Sequence, residues 1–237
     1  MLRLIPLIQA DFGANRQAKY DAHTLQTPGC MHQPGTEEAH FMTSEIVLIR
    51  HGETDWNTER RYQGTSDRPL NDHGNQQAKA LANSMRGEEW DAIISSPLKR
   101  AMGTALPLLD ALNLSDDLLI PDPRLMERSY GAAEGFTLAE REERFPGEIW
   151  EGLESYNDLE TRALGTVEDY IHRFPNQRLL MVTHGTWITA VLEVLTQGEF
   201  GYGKSIILNT SRTYLTFRDG DWEVGDISIA DHLGALA

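Results

Sequence analysis

The run Arg50-His51-Gly52-Glu53-Thr54 follows directly on the apolar stretch Ile46-Val47-Leu48-Ile49. A second histidine, His184, follows Leu179–Thr183 in the same way, inside Thr183-His184-Gly185. Arg100 stands just beyond a third apolar run, in Ser95-Ser96-Pro97-Leu98-Lys99-Arg100. Two imidazoles and two guanidiniums brought to one point suit an anion. A guanidinium presents a planar fork of donors that matches phosphate oxygens. A neutral imidazole, with a pKa of about 6.5, is a competent nucleophile near neutral pH. The chemistry would be phosphoryl transfer through a labile P–N bond, with the cations stabilising charge on the equatorial oxygens. Two histidines and a glutamate are also metal-ligand types. Two arginines beside the same point would repel a cation, so neither a metal nor any other cofactor is expected.

These residues need elements that bring them together. Ile46–Ile49 reads as a buried strand, Asp91–Ser95 as a second, Leu118–Ile120 as a third and Arg178–Thr183 as a fourth. Helical spacing covers Asn71–Met85, capped at Asn71 or Asp72, and Leu98–Leu112, with Pro97 in its first turn. It also covers Tyr156–Phe174 and Thr186–Leu195. Thr213–Phe217 and Trp222–Val224 flank Arg218-Asp219-Gly220-Asp221, a hairpin signal. The alternation predicts a three-layer α/β sandwich, a single domain whose central, mostly parallel sheet is flanked by helices. In such sheets ligands sit at the carboxyl ends of strands, and both histidines lie there. Arg100 opens a helix at the same edge, where helix N-termini favour anions.

The domain is expected to span residues 43–237. Residues 1–42, with turn chemistry at Thr27-Pro28-Gly29-Cys30 and Gln33-Pro34-Gly35-Thr36, read as a partly disordered extension. The formal net charge of −15 disfavours nucleic acid and anionic lipid, so any phosphate site must be a local basic pocket. No apolar run approaches the roughly 20 residues that span a bilayer. The lone Cys30 cannot form an internal disulfide, which fits a cytoplasmic protein.

Further motifs give the pattern a family likeness. They are Trp56-Asn57, Tyr62-Gln63-Gly64, Asp67-Arg68-Pro69-Leu70, Gly74 and Ser95–Ala101. Glu127-Arg128-Ser129-Tyr130-Gly131, Val182–Gly185 and Asp231-His232-Leu233 complete the set. In this order and spacing, over about residues 44–237, the chain resembles the histidine phosphatase (phosphoglycerate mutase-like) superfamily. The resemblance implies that His51 is the phosphorylated nucleophile, that Arg50 and Arg100 clamp the phosphate, and that His184 is a second histidine contacting the phosphoryl group. It implies that Asn57 helps hold that group and that Glu127 protonates the leaving oxygen. Gln63 and Gly185, inside the matching motifs, join the substrate-binding positions. Gly64 and Thr65 either offer backbone donors to substrate or serve the turn, and Tyr130 either faces substrate or packs in the core.

Three activities compete on this pattern: a phosphomonoesterase acting on a small phosphorylated metabolite, a phosphoglycerate mutase, and an idle regulatory domain. The mutase branch carries a lysine and an adjacent arginine pair in an insertion after the Glu127 motif. Phe136–Glu160 has no lysine and only Arg141 and Arg144, which favours hydrolysis of a modestly charged monophosphate. The set from Arg50 to Glu127 looks complete, which disfavours an idle domain. Dimers are common among such relatives, which leaves a homodimer open.

Overall fold

Alternate apolar residues on the central strands feed two separate cores. The computed structural model describes residues 43–147 and 149–236. The expected extension over residues 1–42, with Cys30, lies outside them. The strands are β1 (Thr43–Arg50), β2 (Ala92–Ser95), β3 (Leu119–Pro121), β4 (Arg178–Thr183), β5 (Arg212–Arg218) and β6 (Asp221–Val224). They form one sheet of order β3-β2-β4-β1-β5-β6. The first four run parallel, and β5 and β6 are added antiparallel. The helices are α1 (Asp55–Thr58), α2 (Asp72–Ser84), α3 (Lys99–Ala111), α4 (Leu138–Arg144), α5 (Tyr156–Arg173) and α6 (Gly185–Leu195).

The period of two along a strand sends neighbouring side chains to opposite faces. Ile46, Leu48, Leu179 and Met181 therefore pack against α5 and α6. Val47, Ile49, Leu180 and Val182 pack against α2 and α3. Both faces are covered, which is why the parallel strands read as continuous apolar runs. The helices obey the 3.6 period: α5 buries Leu159, Ala163, Thr166, Val167, Tyr170 and Ile171. Its start is set by Ser155, whose hydroxyl accepts from the Asp158 amide, and that of α2 by Asn71, which accepts from Gly74. The β5–β6 hairpin turns through Asp219 and Gly220, both at positive φ as a two-residue hairpin loop requires.

The three-layer, mostly parallel fold is as the alternation predicts. Boundaries shift in places. Pro97 lies outside α3, whose N-cap is Leu98, while Pro107 sits inside that helix. A 3-10 turn at Asp116–Leu118 delays β3 to Leu119. Among the described residues, no helix is long and apolar enough to cross a membrane.

Candidate active site

Register decides what meets at the sheet edge. Arg50 pairs with Thr183 across β1 and β4, and the His51 amide donates to the Thr183 carbonyl at 2.9 Å. The two His-Gly sequences thus end level, with ring centroids of His51 and His184 5.1 Å apart. Ser95 lies level with Val182 on the neighbouring strand, so the turn after β2 delivers Arg100 to the same point.

Above this edge lies a cleft of about 440 Å3, lined by Arg50, His51, Asn57, Gln63, Gly64, Arg100, Glu127, Tyr130 and Gly185 among others. Nine of the eleven positions singled out in the sequence therefore converge on it. His184 and Thr65 do not line it.

His51 is 3% exposed, and its Nδ1 lies 2.7 Å from the Gly52 carbonyl. A carbonyl only accepts, so Nδ1 carries the proton and Nε2 keeps its lone pair. Burial holds the imidazole well below its ordinary pKa, helped by Arg100 and then Arg50, against the Gly52 contact. The ring is neutral at physiological pH. Its backbone is pinned from three sides: Thr104 accepts from the Gly52 amide at 2.9 Å, Asn209 donates to the His51 carbonyl at 2.9 Å, and the Thr210 amide donates to the Arg50 carbonyl.

The arginines are held differently. Arg50 spends one terminal nitrogen on the Ile207 carbonyl at 2.6 Å, and its Nε is buried without a partner among the described residues. A buried orphan donor is costly unless something accepts from it. Arg100 donates to the Gly64 carbonyl at 2.7 Å and to the Ser66 carbonyl at 2.8 Å. Burial lowers its pKa to about 10, opposed by Glu127, Asp67 and Glu134, so it remains charged. With the likewise charged Arg50 it gives the cleft a local positive charge in a chain of net charge −15.

His184 departs from expectation. Arg100 Nε donates to its Nδ1 at 3.2 Å, and its Nε2 lies 2.8 Å from the Ser96 hydroxyl. An arginine nitrogen cannot accept, so Nδ1 is unprotonated and Nε2–H donates to Ser96. Both nitrogens are engaged, and the fully buried ring does not line the cleft. Burial, then Arg100 and His51, keep it neutral.

Thr65 also departs, because Glu134 takes its donors. The Glu134 carboxylate accepts from the Thr65 amide at 2.8 Å, the Thr65 hydroxyl at 3.1 Å, the Ser66 amide at 2.9 Å and the Ser66 hydroxyl at 2.6 Å. This ties down the loop whose carbonyls hold Arg100. Gly64 sits at φ +53, a backbone region that favours glycine, and a Cβ there would displace the Glu134 carboxylate.

Glu127 is fixed by amides. Its Oε1 accepts from Arg128 and Trp187, at 2.9 and 3.1 Å, and its Oε2 from Thr186 at 3.2 Å. It thereby caps α6, whose own N-cap His184 makes no side-chain cap bond. The Gly185 amide, first of that helix, keeps no intrahelical acceptor. Asn57 uses its Oδ1 to accept from the Thr54 amide at 3.1 Å. Glu53 ties the loop to α2, accepting from Asn71 Nδ2 at 3.0 Å. Tyr130 stands over the cleft with its hydroxyl 2.8 Å from Thr186 Oγ1.

Ser96, Thr104, Glu134 and Asn209 support the site without having been singled out. Ser96 lay inside a quoted motif; the others act through backbone contacts that only the folded chain reveals. Among the described residues, no group of three or more His, Cys, Asp or Glu is placed to hold a metal ion.

Known proteins resemble this chain in sequence and fold. The sequence profile of the histidine phosphatase superfamily (branch 1) matches residues 46–229. An uncharacterized phosphatase, PhoE, of Bacillus subtilis (strain 168) is 35% identical over 81% of this chain and 97% of its own length. A metal-independent phosphoserine phosphatase of Arabidopsis thaliana is 34% identical over 81% of this chain and 84% of its own. A phosphoserine phosphatase mutant from Entamoeba histolytica, solved in complex with phosphoserine, superposes with a TM-score of 0.69 at 28% identity, covering 80% of this chain and 99% of that one. The chain belongs to the histidine phosphatase superfamily, branch 1.

Proposed function

We propose that this protein is a phosphomonoesterase that hydrolyses a small phosphorylated metabolite through a phosphohistidine at His51, without a metal ion. The observation that carries the reading is the fixed tautomer of a buried, neutral His51, with Nε2 left free beside two arginines. Nε2 attacks phosphorus, the P–O ester bond breaks, and Glu127 Oε2 delivers a proton to the departing oxygen. Water then attacks the phosphorus and gives a proton to Glu127; the new P–O bond forms as the P–N bond breaks, its electron pair returns to His51 Nε2, and inorganic phosphate leaves. Arg50 Nε and Arg100 bind the equatorial oxygens, supplying the positive charge that a metal would otherwise bring. His184 orients Arg100. The relatives named as phosphoserine phosphatases support a small phosphomonoester carrying a carboxylate as substrate. The lack of lysine across Phe136–Glu160 supports hydrolysis over transfer to a second phosphate.

The test is a rapid-quench reaction with a labelled ester in excess EDTA, kept away from acid. An alkali-stable, acid-labile label on His51, and a turnover loss of roughly 10⁴-fold or more in His51→Ala, are expected. Near-normal turnover in His51→Ala, or loss of activity to EDTA, would refute the mechanism.

A further inference from the structure

The cleft accounts for only part of the open space at this edge. A second cavity of about 560 Å3 adjoins it, lined by Tyr62, Arg128, Tyr130, Arg141, Ile149, Trp150, Leu153, Ser155 and Tyr156. Tyr62 and Tyr130 line both spaces, their rings 4.7 Å apart. A phosphate on a three-carbon body would occupy the first space and leave the second empty.

The second cavity has its own chemistry. Four of its nine lining residues are tyrosine or tryptophan, and Ile149 and Leu153 add apolar surface. Two lining residues are arginines and, among the described residues, none is acidic, in a chain of net charge −15. Of the glutamates in the same segment, Glu140 turns to Arg61 and the Thr137 amide and Glu154 to Arg162 and the Ser129 amide, while the exposed Glu142 lies 3.8 Å from an Arg141 terminal nitrogen without lining the cavity. The walls are fixed in place. Trp150 donates its indole N–H to the Tyr130 carbonyl at 2.7 Å. The Arg128 guanidinium lies 3.8 Å from the Tyr156 ring centroid and donates to the Glu154 carbonyl. Arg141 lies 5.4 Å from the Trp150 centroid, and its buried Nε has no partner among the described residues.

We propose that this second cavity is the leaving-group subsite, and that it takes a flat, unsaturated body carrying a carboxylate. The reading rests on the phosphomonoesterase assignment above. Rings would stack on the aromatic walls, while Arg141 and Arg128 would meet the acid group with charge-assisted hydrogen bonds. Flat faces and fixed guanidiniums cost little entropy to order, since they are held before the ligand arrives.

The experiment compares phenyl phosphate, naphthyl phosphate and a carboxynaphthyl phosphate. The expected kcat/KM rises from the first to the second, and rises again by about tenfold with the carboxylate. In Arg141→Gln the ratio of carboxylated to plain naphthyl ester should fall close to one. Arg144, exposed and outside the cavity, serves as control: Arg144→Gln should keep the ratio. Calorimetric binding of the free hydroxynaphthoate to His51→Ala, with and without Arg141→Gln, reads the subsite without turnover. Equal kcat/KM for all three esters, or an unchanged ratio in Arg141→Gln, overturns the subsite alone. If no ester is hydrolysed, the phosphatase reading fails, and hydroxynaphthoate binding that Arg141→Gln abolishes still upholds the subsite, while its absence overturns that too.

Discussion

The floor and the lid of the cleft are built by different means. The floor consists of the ends of β1 and β4 and the starts of α3 and α6, and its His51, Arg100 and His184 are 0–3% exposed. Every one of them is placed by strand register or by a helix start, with backbone bonds behind it. The lid, roughly residues 130–156, contains a 3-10 turn, the short α4 and irregular chain. It is held by side-chain stacking, by Trp150 on the Tyr130 carbonyl, and by glycines in close contact. The difference separates two tasks. In the proposed mechanism the nucleophile must keep its geometry, and His51 is pinned by strand ends, by Thr104 of α3 and by Asn209 rather than by the lid. Recognition can be altered by changing stacked side chains, without moving His51.

The largest effect expected from disturbing this division is at Glu127, which caps the α6 start in the floor. Three amides already donate to it, so a proton it delivers must sit on Oε2, the oxygen with the single amide contact. Glu127→Gln should slow the burst with an alkyl phosphate by roughly 10²–10⁴-fold. With a p-nitrophenyl ester, whose leaving oxygen needs little protonation, the burst should fall far less. A glutamine amide facing the Thr186 N–H also costs about 1 kcal/mol of stability, which thermal denaturation would register. Equal burst losses for the two esters would make Glu127 a helix cap and loop anchor rather than the acid.

A smaller effect is expected in the lid, at Gly131. It sits at φ +47, and a Cβ there would lie 2.2 Å from the Glu151 carbonyl oxygen. That oxygen is backbone, so the two segments must separate. Backbone strain of this kind costs about 1–3 kcal/mol. Gly131→Ala should raise KM for a naphthyl ester by about tenfold. The phenyl phosphate burst should stay within about twofold, as for independent sites. A matching fall in that burst would show that lid and floor move as one unit.

The same contrast governs what was legible in the sequence. The floor reads out of the chain because apolar strands and helix starts leave local signals, and Arg50, His51 and Arg100 lie directly at their ends. The sequence could not reveal that Arg100 donates to His184 Nδ1, because that depends on the rotation of two side chains at the end of β4 and the start of α3. Nor could it reveal that Glu134 takes the Thr65 donors across 69 residues of chain. The lid was misleading in composition. Glu140–Glu143 reads as a solvated acidic face, and its three glutamates are indeed exposed, yet Arg141, between Glu140 and Glu142, is the residue that lines the second cavity. A run of charge gives a sum, whereas a cavity sees only the one face of the helix that lines it.

The smallest change in rate is expected from acid, and it tests whether the floor keeps its nucleophile neutral. His51 and His184 both have folded pKa values well below about 6.5, the value an unfolded chain would show. Below that pH the unfolded state binds protons that the folded state refuses, so stability is full above about 6.5 and falls as pH drops beneath it. Each histidine contributes up to about 1.4 kcal/mol per pH unit in that window. His232, whose pKa is also lowered by burial, adds to the slope. The carboxylates of Asp67, Asp122 and Asp231, with pKa values below the usual range, lose their contribution only nearer pH 4. Between about pH 6.5 and 5 the histidines therefore set the slope. Urea denaturation should show stability declining across that interval, with a shallower slope in His51→Ala. The burst rate, corrected for the substrate's second ionisation, should stay flat over the same range, because folded molecules keep Nε2 unprotonated. A burst that falls in step with an ordinary imidazole titration would mean that the His51 pocket admits the charged ring, and the burial that makes it a nucleophile would not hold in solution.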